Sequence, residues 1–221
     1  MHLANLTADI LERAARIRLA VFDVDGTLTT GDCVLPFLRR VAGLRLAGAL
    51  LRHPWALLGG LVRRDRDRLK ALVCASLAGH PAGDVDRSGA EFAHEVVSSR
   101  LREDTAARLR QHRELGHTVV LASASLDPYL LPLGTLLGAD DVVCTMLERG
   151  ADGLLTGRLE GANCRGPEKA RRVRALLERR GLEAAELWAY GDSPDDEPLL
   201  ASADHAVRVG RAPLSRLDTG G

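Results

Sequence analysis

Short apolar runs alternate with amphipathic stretches along most of this chain of 221 residues. The runs have the length and composition of buried β-strands, and they lie at Leu19–Phe22, Thr118–Ala122, Asp141–Met146, Leu187–Tyr190 and Ala206–Val209. Helical periodicity precedes the first run, up to about Ile17, and returns at Thr105–Leu115, Pro167–Arg180 and Asp195–Ala201. Strands that alternate with helices predict an α/β fold with a Rossmann-like, doubly wound parallel sheet.

The pattern changes between Asp32 and about Ser99, where it is helical throughout. Turn signals divide this region at His53-Pro54, Gly59-Gly60 and Gly79-His80-Pro81. We therefore predict an all-helical insertion at residues 32–98, the helical insert, in the loop after the first strand. Residues 1–31 and 99–221 would form the core domain that contains the sheet.

The composition argues against a nucleic-acid partner. The chain has 30 Lys+Arg and 30 Asp+Glu, and only 3% of its residues are aromatic. A polyanion would therefore find neither an overall attractive charge nor many stacking platforms. The arginines at Arg171, Arg172, Arg174, Arg179 and Arg180 are most simply the solvated face of a helix.

Cysteine usage and hydropathy bear on the cellular setting. The four cysteines show no metal-ligand spacing and no signal peptide is recognisable, so we expect a reduced, cytoplasmic protein, with Cys164 structural rather than reactive. The longest apolar stretch, Val41–Val62, is interrupted by charged residues and proline, which disfavours a membrane span. Leu44–Val62 would either pack inside the helical insert or form an apolar surface for a lipid substrate or a peripheral membrane contact.

Asp23 and Asp25 follow the first strand directly, in the sequence Asp23-Val24-Asp25-Gly26-Thr27. Alternation along the strand places both carboxylates on one side, where they repel each other unless a cation or a proton intervenes. Taken alone, this sequence is also typical of a plain turn or a calcium-like loop. The carboxyl ends of strands are, however, where open α/β sheets place their ligand sites.

Three further features follow in chain order. Ser123, with Ala124 beside it, ends a predicted strand and offers a hydroxyl and backbone N–H groups to an anion; alone, Ser123 would be read as a helix cap. Lys169 lies in the first turn of a predicted helix, where the dipole disfavours a cation unless an anion compensates; alone, it would be a surface lysine. Asp192 and Asp196 follow another strand and offer the oxygen ligands that Mg²⁺ prefers.

Together these groups are typical of phosphoryl transfer to an aspartate. Asp23 would attack phosphorus as a carboxylate that needs no base to activate it. Mg²⁺, Lys169 and Ser123 would neutralise the phosphate oxygens. Asp25, with a raised pKa, would protonate the leaving group and then assist water.

The chain resembles the haloacid dehalogenase superfamily, and within it the phosphoserine phosphatase-like branch (subfamily IB) that carries a helical cap of the C1 type. The resemblance rests on four segments: Phe22-Asp23-Val24-Asp25-Gly26-Thr27-Leu28-Thr29, Val120-Leu121-Ala122-Ser123-Ala124-Ser125, Gly161-Ala162-Asn163-Cys164-Arg165-Gly166-Pro167-Glu168-Lys169 and Ala189-Tyr190-Gly191-Asp192-Ser193-Pro194-Asp195-Asp196-Glu197-Pro198-Leu199-Leu200.

The resemblance implies a role for each matching residue. Asp23 would be the nucleophile and Asp25 the general acid/base. Ser123 and Ala124 would bind phosphate, and Lys169 would steady both the phosphate and the nucleophile. Mg²⁺ would be held by Asp23, the backbone carbonyl of Asp25 and Asp192, with Asp196 in support.

Two positions need separate comment. Asp195 stands where phosphoserine phosphatases often have asparagine, so the phosphate contact of that asparagine is not carried over to this chain. Asp32 lies where those enzymes place an acidic residue that contacts the substrate amine, but it would equally cap the helix that begins near Cys33.

We therefore expect a Mg²⁺-dependent phosphomonoesterase of a small phosphorylated metabolite, such as phosphoserine or another amino alcohol phosphate. The apolar insert leaves a lipid phosphate, of the lysophosphatidate or phosphatidylglycerophosphate type, as an alternative substrate. Phosphotransfer to an acceptor other than water and a non-catalytic phosphometabolite-binding module are the remaining alternatives. The sequence does not predict the oligomeric state.

Overall fold

The computed structural model describes residues 17–52 and 65–214. Its strands are β1 (Arg18–Phe22), β2 (Thr118–Leu126), β3 (Asp141–Arg149), β4 (Leu155–Glu160), β5 (Glu186–Gly191) and β6 (His205–Arg208). Its α-helices are α1 (Val34–Ala42), α2 (Leu44–Arg52), α3 (Arg66–Cys74), α4 (Ala82–Ser99), α5 (Glu103–Glu114), α6 (Asp127–Leu137), α7 (Pro167–Arg180) and α8 (Glu197–Leu200). Two short 3₁₀ turns, Ala75–Leu77 and Pro194–Asp196, complete the regular structure of these residues.

The six strands form one sheet in the order β4-β3-β2-β1-β5-β6. Strand β1 is parallel to both of its neighbours, with Leu19 opposite Thr118 of β2 and Leu187 of β5. Strands β3 and β6 extend the parallel sheet on either side, and β4 pairs antiparallel with β3 at one edge. The chain reverses its direction across the sheet at β1, and such switch points are where α/β sheets bind ligands.

Helices cover both faces of the sheet, as a doubly wound fold requires. Leu19 and Val21 of β1 belong to a buried cluster that includes Val173 of α7 and Leu199 of α8. Their neighbours in sequence, such as Phe22, point to the opposite face and pack in a second cluster that includes residues of α5 and α6. The alternation along β1 therefore builds two cores, one on each face. The predicted fold class is confirmed.

Helices α1 to α4 lie between β1 and β2, as predicted for the helical insert. Helix α4 is anchored on α6 by apolar contact, because Phe92 of α4 packs against Tyr129 of α6 with ring centroids 5.4 Å apart. Phe37 of α1 completes this aromatic cluster, 4.9 Å from Tyr129. Gly89 of α4 is also close to the backbone of Pro128, where a Cβ atom would not fit. The boundaries of the insert at 32 and 98 remain a prediction.

Several elements differ from the sequence prediction. Strand β2 extends to Leu126, so Ser123 lies within the strand and the reading of Ser123 as a helix cap is wrong. Helix α6 and strand β4 were not predicted; Pro132 inside α6 and Gly157, at a positive φ, inside β4 weaken their sequence patterns. The predicted helix at Asp195–Ala201 is a 3₁₀ turn followed by the short α8. The helix predicted before Ile17 lies outside the described residues.

The apolar stretch Leu44–Val62 is described only as far as Arg52. Within α2, Leu46 is buried, whereas Leu44 and Leu51 are 91% and 80% exposed. These two leucines therefore contradict the expectation that the whole stretch is packed interior. Across the described ranges 17–52 and 65–214, the helices are too short or too polar to cross a membrane.

Candidate active site

Asp23 and Asp25 lie on the turn that follows β1. The backbone N–H of Asp23 donates to the carbonyl of Tyr190 (2.9 Å), which continues the pairing with β5 and fixes the start of the turn. The carbonyl of Val24 then accepts from the N–H groups of Thr27, Leu28 and Thr29. Gly26 within this turn has φ +86°, a conformation that glycine adopts without steric cost.

Lys169 forms an ion pair with two buried carboxylates. Its Nζ atom lies 2.6 Å from Oδ1 of Asp23 and 2.6 Å from Oδ1 of Asp196. The lysine is only 3% exposed, so the alternative of a solvated surface lysine is wrong. Burial alone would lower the pKa of Lys169, but the charges of Asp23 and Asp196 outweigh it and hold the pKa above its ordinary value. Lys169 is therefore a fixed cation beside the candidate nucleophile.

Asp196 is held at both carboxylate oxygens. While Oδ1 accepts from Lys169, Oδ2 accepts from the backbone N–H (3.1 Å) and the hydroxyl (2.8 Å) of Ser193. These contacts form a capping box at the start of the 3₁₀ turn after β5. Asp196 thus fixes the direction of Lys169 and links it to the end of β5.

Asp23, Asp192 and Asp196 bring carboxylate oxygens within 4.8 Å of one another. Burial raises the pKa of Asp23 to about 7, with Lys169 opposing and Asp196 and Asp25 adding to the rise. Burial and the charge of Asp196 also raise the pKa of Asp192. Crowded carboxylates with raised pKa values are stabilised by a divalent cation, and hard oxygen donors suit Mg²⁺. These residues therefore fit a Mg²⁺ ion, with Asp23 and Asp192 less committed to other partners than Asp196.

The Asp25 carboxylate is held by groups from Ser125 of β2 and from Cys33, the residue before α1. Its Oδ1 accepts from the Cys33 N–H (2.9 Å) and its Oδ2 from the Ser125 hydroxyl (2.6 Å). The Tyr129 hydroxyl donates in turn to Ser125 (2.7 Å). Burial raises the pKa of Asp25, opposed by the hydrogen bonds from Ser125 and Cys33. The two aspartates of the pair are thus in different surroundings, one beside a cation and one in a hydroxyl network.

Ser123 and Ala124 lie near the end of β2, beside this network. The hydroxyl oxygen of Ser123 accepts the backbone N–H of Ser125 (3.0 Å), and the serine is 1% exposed. The carbonyl of Ala124 accepts from Lys70 of the helical insert.

A cavity of about 770 Å³ joins these groups beneath the helical insert. Its walls include every residue that the sequence analysis singled out for the site, namely Asp23, Asp25, Asp32, Ser123, Ala124, Lys169, Asp192 and Asp196. Asp32 lies at the start of α1, where its carboxylate accepts the N–H groups of Val34 (3.3 Å) and Leu35 (3.0 Å). The helix-capping reading of Asp32 is therefore confirmed, and its contact with a substrate remains a prediction.

Asp195, the departure from the phosphoserine phosphatase pattern, is engaged by two arginines. Arg165 donates to both of its carboxylate oxygens at 2.7 Å, and Arg66 of α3 adds a contact at 3.3 Å. Cys164 nearby is fully buried, and burial raises the pKa of its thiol to about 11, as expected for a structural cysteine.

Sequence reasoning missed Lys70. It enters the cavity from α3, is mostly buried, and donates to Asn163 Oδ1 (2.9 Å) and Thr145 Oγ1 (3.3 Å) as well as to Ala124. One signal was available, because Lys70 and Lys169 are the only lysines among the 30 basic residues of the chain.

Comparisons with known proteins agree with this geometry. The chain matches the family model described as haloacid dehalogenase-like hydrolase over residues 20–201. It is 36% identical over 187 residues to Protein CicA of Caulobacter vibrioides, covering 84% of this chain and 83% of that protein. It is 30% identical over 197 residues to phosphoserine phosphatase SerB1 of Mycobacterium tuberculosis, covering 86% of this chain and 64% of that protein.

Solved structures show the same fold. A protein with unknown function from Bordetella pertussis Tohama I superposes with a TM-score of 0.68 at 26% identity, covering 84% of this chain and 86% of that one. The apo form of a phosphoserine phosphatase superposes with a TM-score of 0.59 at 18% identity, covering 85% and 84%. Because the family model matches residues 20–201, which is most of the chain, the chain belongs to the haloacid dehalogenase-like hydrolase family.

Proposed function

We propose that this protein is a Mg²⁺-dependent phosphomonoesterase that acts through an aspartyl phosphate on Asp23. The observation that carries the proposal is the buried contact between Asp23 and Lys169, at 2.6 Å, on the wall of a cavity that also contains Ser123 and Asp25. A buried carboxylate beside a fixed cation is a nucleophile that needs no general base.

Charge neutralisation is the main requirement for this reaction, because the Asp23 carboxylate must approach a phosphate dianion. Lys169 and the Ser123 hydroxyl would face the phosphate oxygens as phosphorus is attacked. Mg²⁺ bound by Asp23, the backbone carbonyl of Asp25 and Asp192 would supply further positive charge and orient the phosphoryl group. Asp196 would support the site indirectly, because it holds the Lys169 ammonium group in place and is itself fixed by Ser193.

Asp25 has the surroundings of a general acid/base. Its raised pKa favours a protonated carboxyl that can give its proton to the departing alkoxide. The Ser125 hydroxyl donates to the ionised Asp25 carboxylate. Its oxygen accepts from Tyr129 with one lone pair, so after rotation the second lone pair can accept from the protonated Asp25 carboxyl. Asp25 would then take a proton from the water that cleaves the aspartyl phosphate. A protein that only binds phosphometabolites would have no need of this acid.

The proposed substrate is a small phosphorylated metabolite, phosphoserine or another amino alcohol phosphate. The name of the SerB1 relative and the phosphoserine phosphatase structures support this class. The helical insert, at residues 32–98, would close over the phosphate and exclude water, with Asp32 near the leaving group.

A lipid phosphate is the second candidate, because Leu44 and Leu51 are exposed on α2. They are seven residues apart and so lie on one face of the helix. That face would contact a lipid bilayer or an acyl chain.

The test is a screen of water-soluble phosphoesters and lipid phosphates in vesicles, with and without Mg²⁺. Asp23→Asn serves as the blank, and mass spectrometry of acid-quenched enzyme looks for phosphate on Asp23. We expect Mg²⁺-dependent turnover that this variant abolishes. Substantial Mg²⁺-dependent activity in Asp23→Asn would exclude Asp23 as the nucleophile. Cosedimentation with vesicles and preference for the lipid esters would favour the second candidate, and new esters formed on adding alcohols would indicate phosphotransfer.

A further inference from the structure

The two lysines of the chain line the same cavity. Among the residues that the structure describes, the other cations that line it are Arg66 and Arg165. Lysine and arginine are not interchangeable, because an ammonium is compact and its three donors can converge on closely spaced oxygens. The proposed chemistry uses Lys169 but does not use Lys70.

Lys70 crosses from the helical insert to the core domain. It belongs to α3, and the three acceptors of its ammonium group are the Ala124 carbonyl on β2, Thr145 Oγ1 on β3 and Asn163 Oδ1 before α7. All three are neutral oxygens, so these contacts use the three N–H donors without neutralising the charge. Burial accordingly lowers the pKa of Lys70.

The Ala124 carbonyl belongs to the peptide that joins Ala124 to Ser125. The N–H of this same peptide donates to the Ser123 hydroxyl oxygen (3.0 Å). The Ser125 side chain that follows donates to Asp25 (2.6 Å). The orientation of one peptide unit therefore sets the position of the Ser123 hydroxyl and of the Ser125–Asp25 hydrogen bond.

Three more polar contacts join α3 to the core domain, one of them the ion pair between Asp67 Oδ1 and Arg165 Nη1 (3.9 Å). Asp67 accepts from the Asn163 side-chain amide (2.6 Å), so Asn163 is bound by α3 at both its nitrogen and its oxygen. Arg66 contacts Asp195 (3.3 Å). Lys70 is the buried member of this set, and the side chains of Arg66 and Asp67 are largely exposed.

We propose that Lys70 is a positioning residue that couples the docking of α3 to the shape of the phosphate site. When α3 is docked, Lys70 holds the peptide between Ala124 and Ser125, and with it Ser123 and Asp25, in the arrangement that binds and transforms phosphate. When α3 moves away, the peptide loses its partner and the site relaxes. This inference rests on the proposed function for its kinetic consequences, but the effect on phosphate binding is independent of turnover.

The primary test is Lys70→Met, which keeps an unbranched side chain one atom shorter and removes its charge and donors. Arg68→Met on the same helix is the matched control, because Arg68 is 66% exposed and pairs with Asp65 alone among the described residues. We expect Lys70→Met to lower kcat/KM about 100-fold, as misplaced catalytic groups commonly do. The loss of kcat/KM should be equal for esters with neutral leaving groups and for esters with anionic leaving groups. Arg68→Met should have the kcat/KM of the wild-type protein.

A binding measurement separates this role from turnover. With two lysines in the chain, ¹³C-lysine labelling gives two side-chain signals in NMR spectra, and Lys70→Met assigns them. We expect inorganic phosphate to shift the Lys70 signal, and its affinity to fall at least tenfold in Lys70→Met. Wild-type phosphate affinity and turnover in this variant would overturn the proposal. A loss confined to esters with anionic leaving groups would also overturn it, because Lys70 would then be a substrate contact.

Asp67→Ala decides the question if Lys70→Met does not fold, because Asp67 is an exposed member of the same contact set and alanine cannot accept from Asn163. We expect a several-fold loss of phosphate affinity in Asp67→Ala, and unchanged affinity would count against the positioning role. If the wild-type protein binds phosphate with an affinity that depends on Lys70 but hydrolyses no ester, the proposed function fails and the positioning role stands.

Discussion

Gly26 lies directly against the carboxylate of Asp192, so closely that a Cβ atom at position 26 would overlap it. Thr27, the next residue, donates from its hydroxyl to Oδ1 of Asp192 (3.3 Å). The turn after β1 thus determines where a carboxylate from the end of β5 can lie. Because that carboxylate is a predicted metal ligand, glycine at position 26 would be a requirement of the proposed metal site as well as of the turn.

Gly26→Ala should weaken Mg²⁺ binding at least tenfold, because the added methyl group displaces Asp192. The measurement is the rise in Tm on adding Mg²⁺. Gly116→Ala is the matched control, since Gly116 also has a positive φ (73°) but has nothing within 4 Å of an added Cβ. Backbone strain would lower the Tm of both variants, and only Gly26→Ala should lose its response to Mg²⁺. An equal loss of response in both would contradict the explanation.

Lys169→Met and Asp23→Asn should change stability in opposite directions. Removing Lys169 leaves two buried carboxylates without their cation, which costs about 3 kcal/mol of the free energy of unfolding. Asp23→Asn removes a buried carboxyl with a raised pKa and leaves the Lys169–Asp196 pair intact, so the metal-free protein should be at least as stable as the wild type. Urea denaturation without Mg²⁺ measures both values. Equal destabilisation by the two changes would show that the Asp23–Lys169 contact is not as described.

Mg²⁺ affinity should depend on pH through Asp23. Its pKa of about 7 in the metal-free protein lies above the ordinary value of 3.8, and only the ionised carboxylate binds metal. We therefore expect the affinity to fall as pH decreases from 8 to 6, approaching about tenfold per pH unit below pH 7. Isothermal titration calorimetry at several pH values measures this slope. The slope should be smaller in Asp23→Asn, and a pH-independent affinity in the wild type would contradict the prediction.

The stability of the fold at acid pH should depend on His112. Its Nε2 atom lies 2.8 Å from the Tyr190 hydroxyl and its Nδ1 atom 2.8 Å from Nδ1 of His117. Burial, with the charges of His117 and Arg108, lowers the pKa of His112 to about 3. The unfolded chain therefore binds a proton that the folded protein excludes between pH 6.5 and 3.

As the pH decreases through that window, the protonation of His112 alone should lower the free energy of unfolding by about 1.4 kcal/mol per pH unit. Comparing urea denaturation curves of the wild type and His112→Gln isolates the effect from the other titrating residues. The variant should have the smaller slope. Parallel slopes for wild type and His112→Gln would mean that His112 is not the responsible group.

The residues of the candidate site that lie in local patterns could be predicted from the sequence. Asp23, Ser123 and Asp192 each follow or end an apolar run, and the carboxyl ends of neighbouring parallel strands meet at one edge of the sheet. Lys169 was predicted from its unfavourable place in the first turn of α7. The structure supplies the anions that compensate it, Asp23 and Asp196.

Lys70 could not be predicted in this way, because its role depends on how α3 docks against the core domain. Nothing in the sequence around α3 indicates that Lys70 contacts β2 and β3, and a lysine on a polar helix is usually solvated. The edge strand β4 was missed for a different reason. Only Leu155 and Gly157 of its six residues are buried, and Gly157 has a positive φ, so its pattern is weaker than that of the central strands.

The aromatic contacts between α4 and α6 have a consequence for how a substrate reaches the cavity. Separating α4 from α6 would expose Phe92 and Tyr129, at about 1.5–3 kcal/mol for each large apolar side chain. Separating α3 from the core domain would expose no aromatic side chain of α3; it would break the hydrogen bonds of the buried Lys70 and the exposed ion pairs of Arg66 and Asp67. Water can replace hydrogen bonds and exposed ion pairs at a smaller net cost than the exposure of large apolar side chains. We therefore expect opening along the α3 side, with α4 in place. Substrate and phosphate would then pass between α3 and the residues around Asn163 and Asp195, and this side of the protein would set the rate of product release.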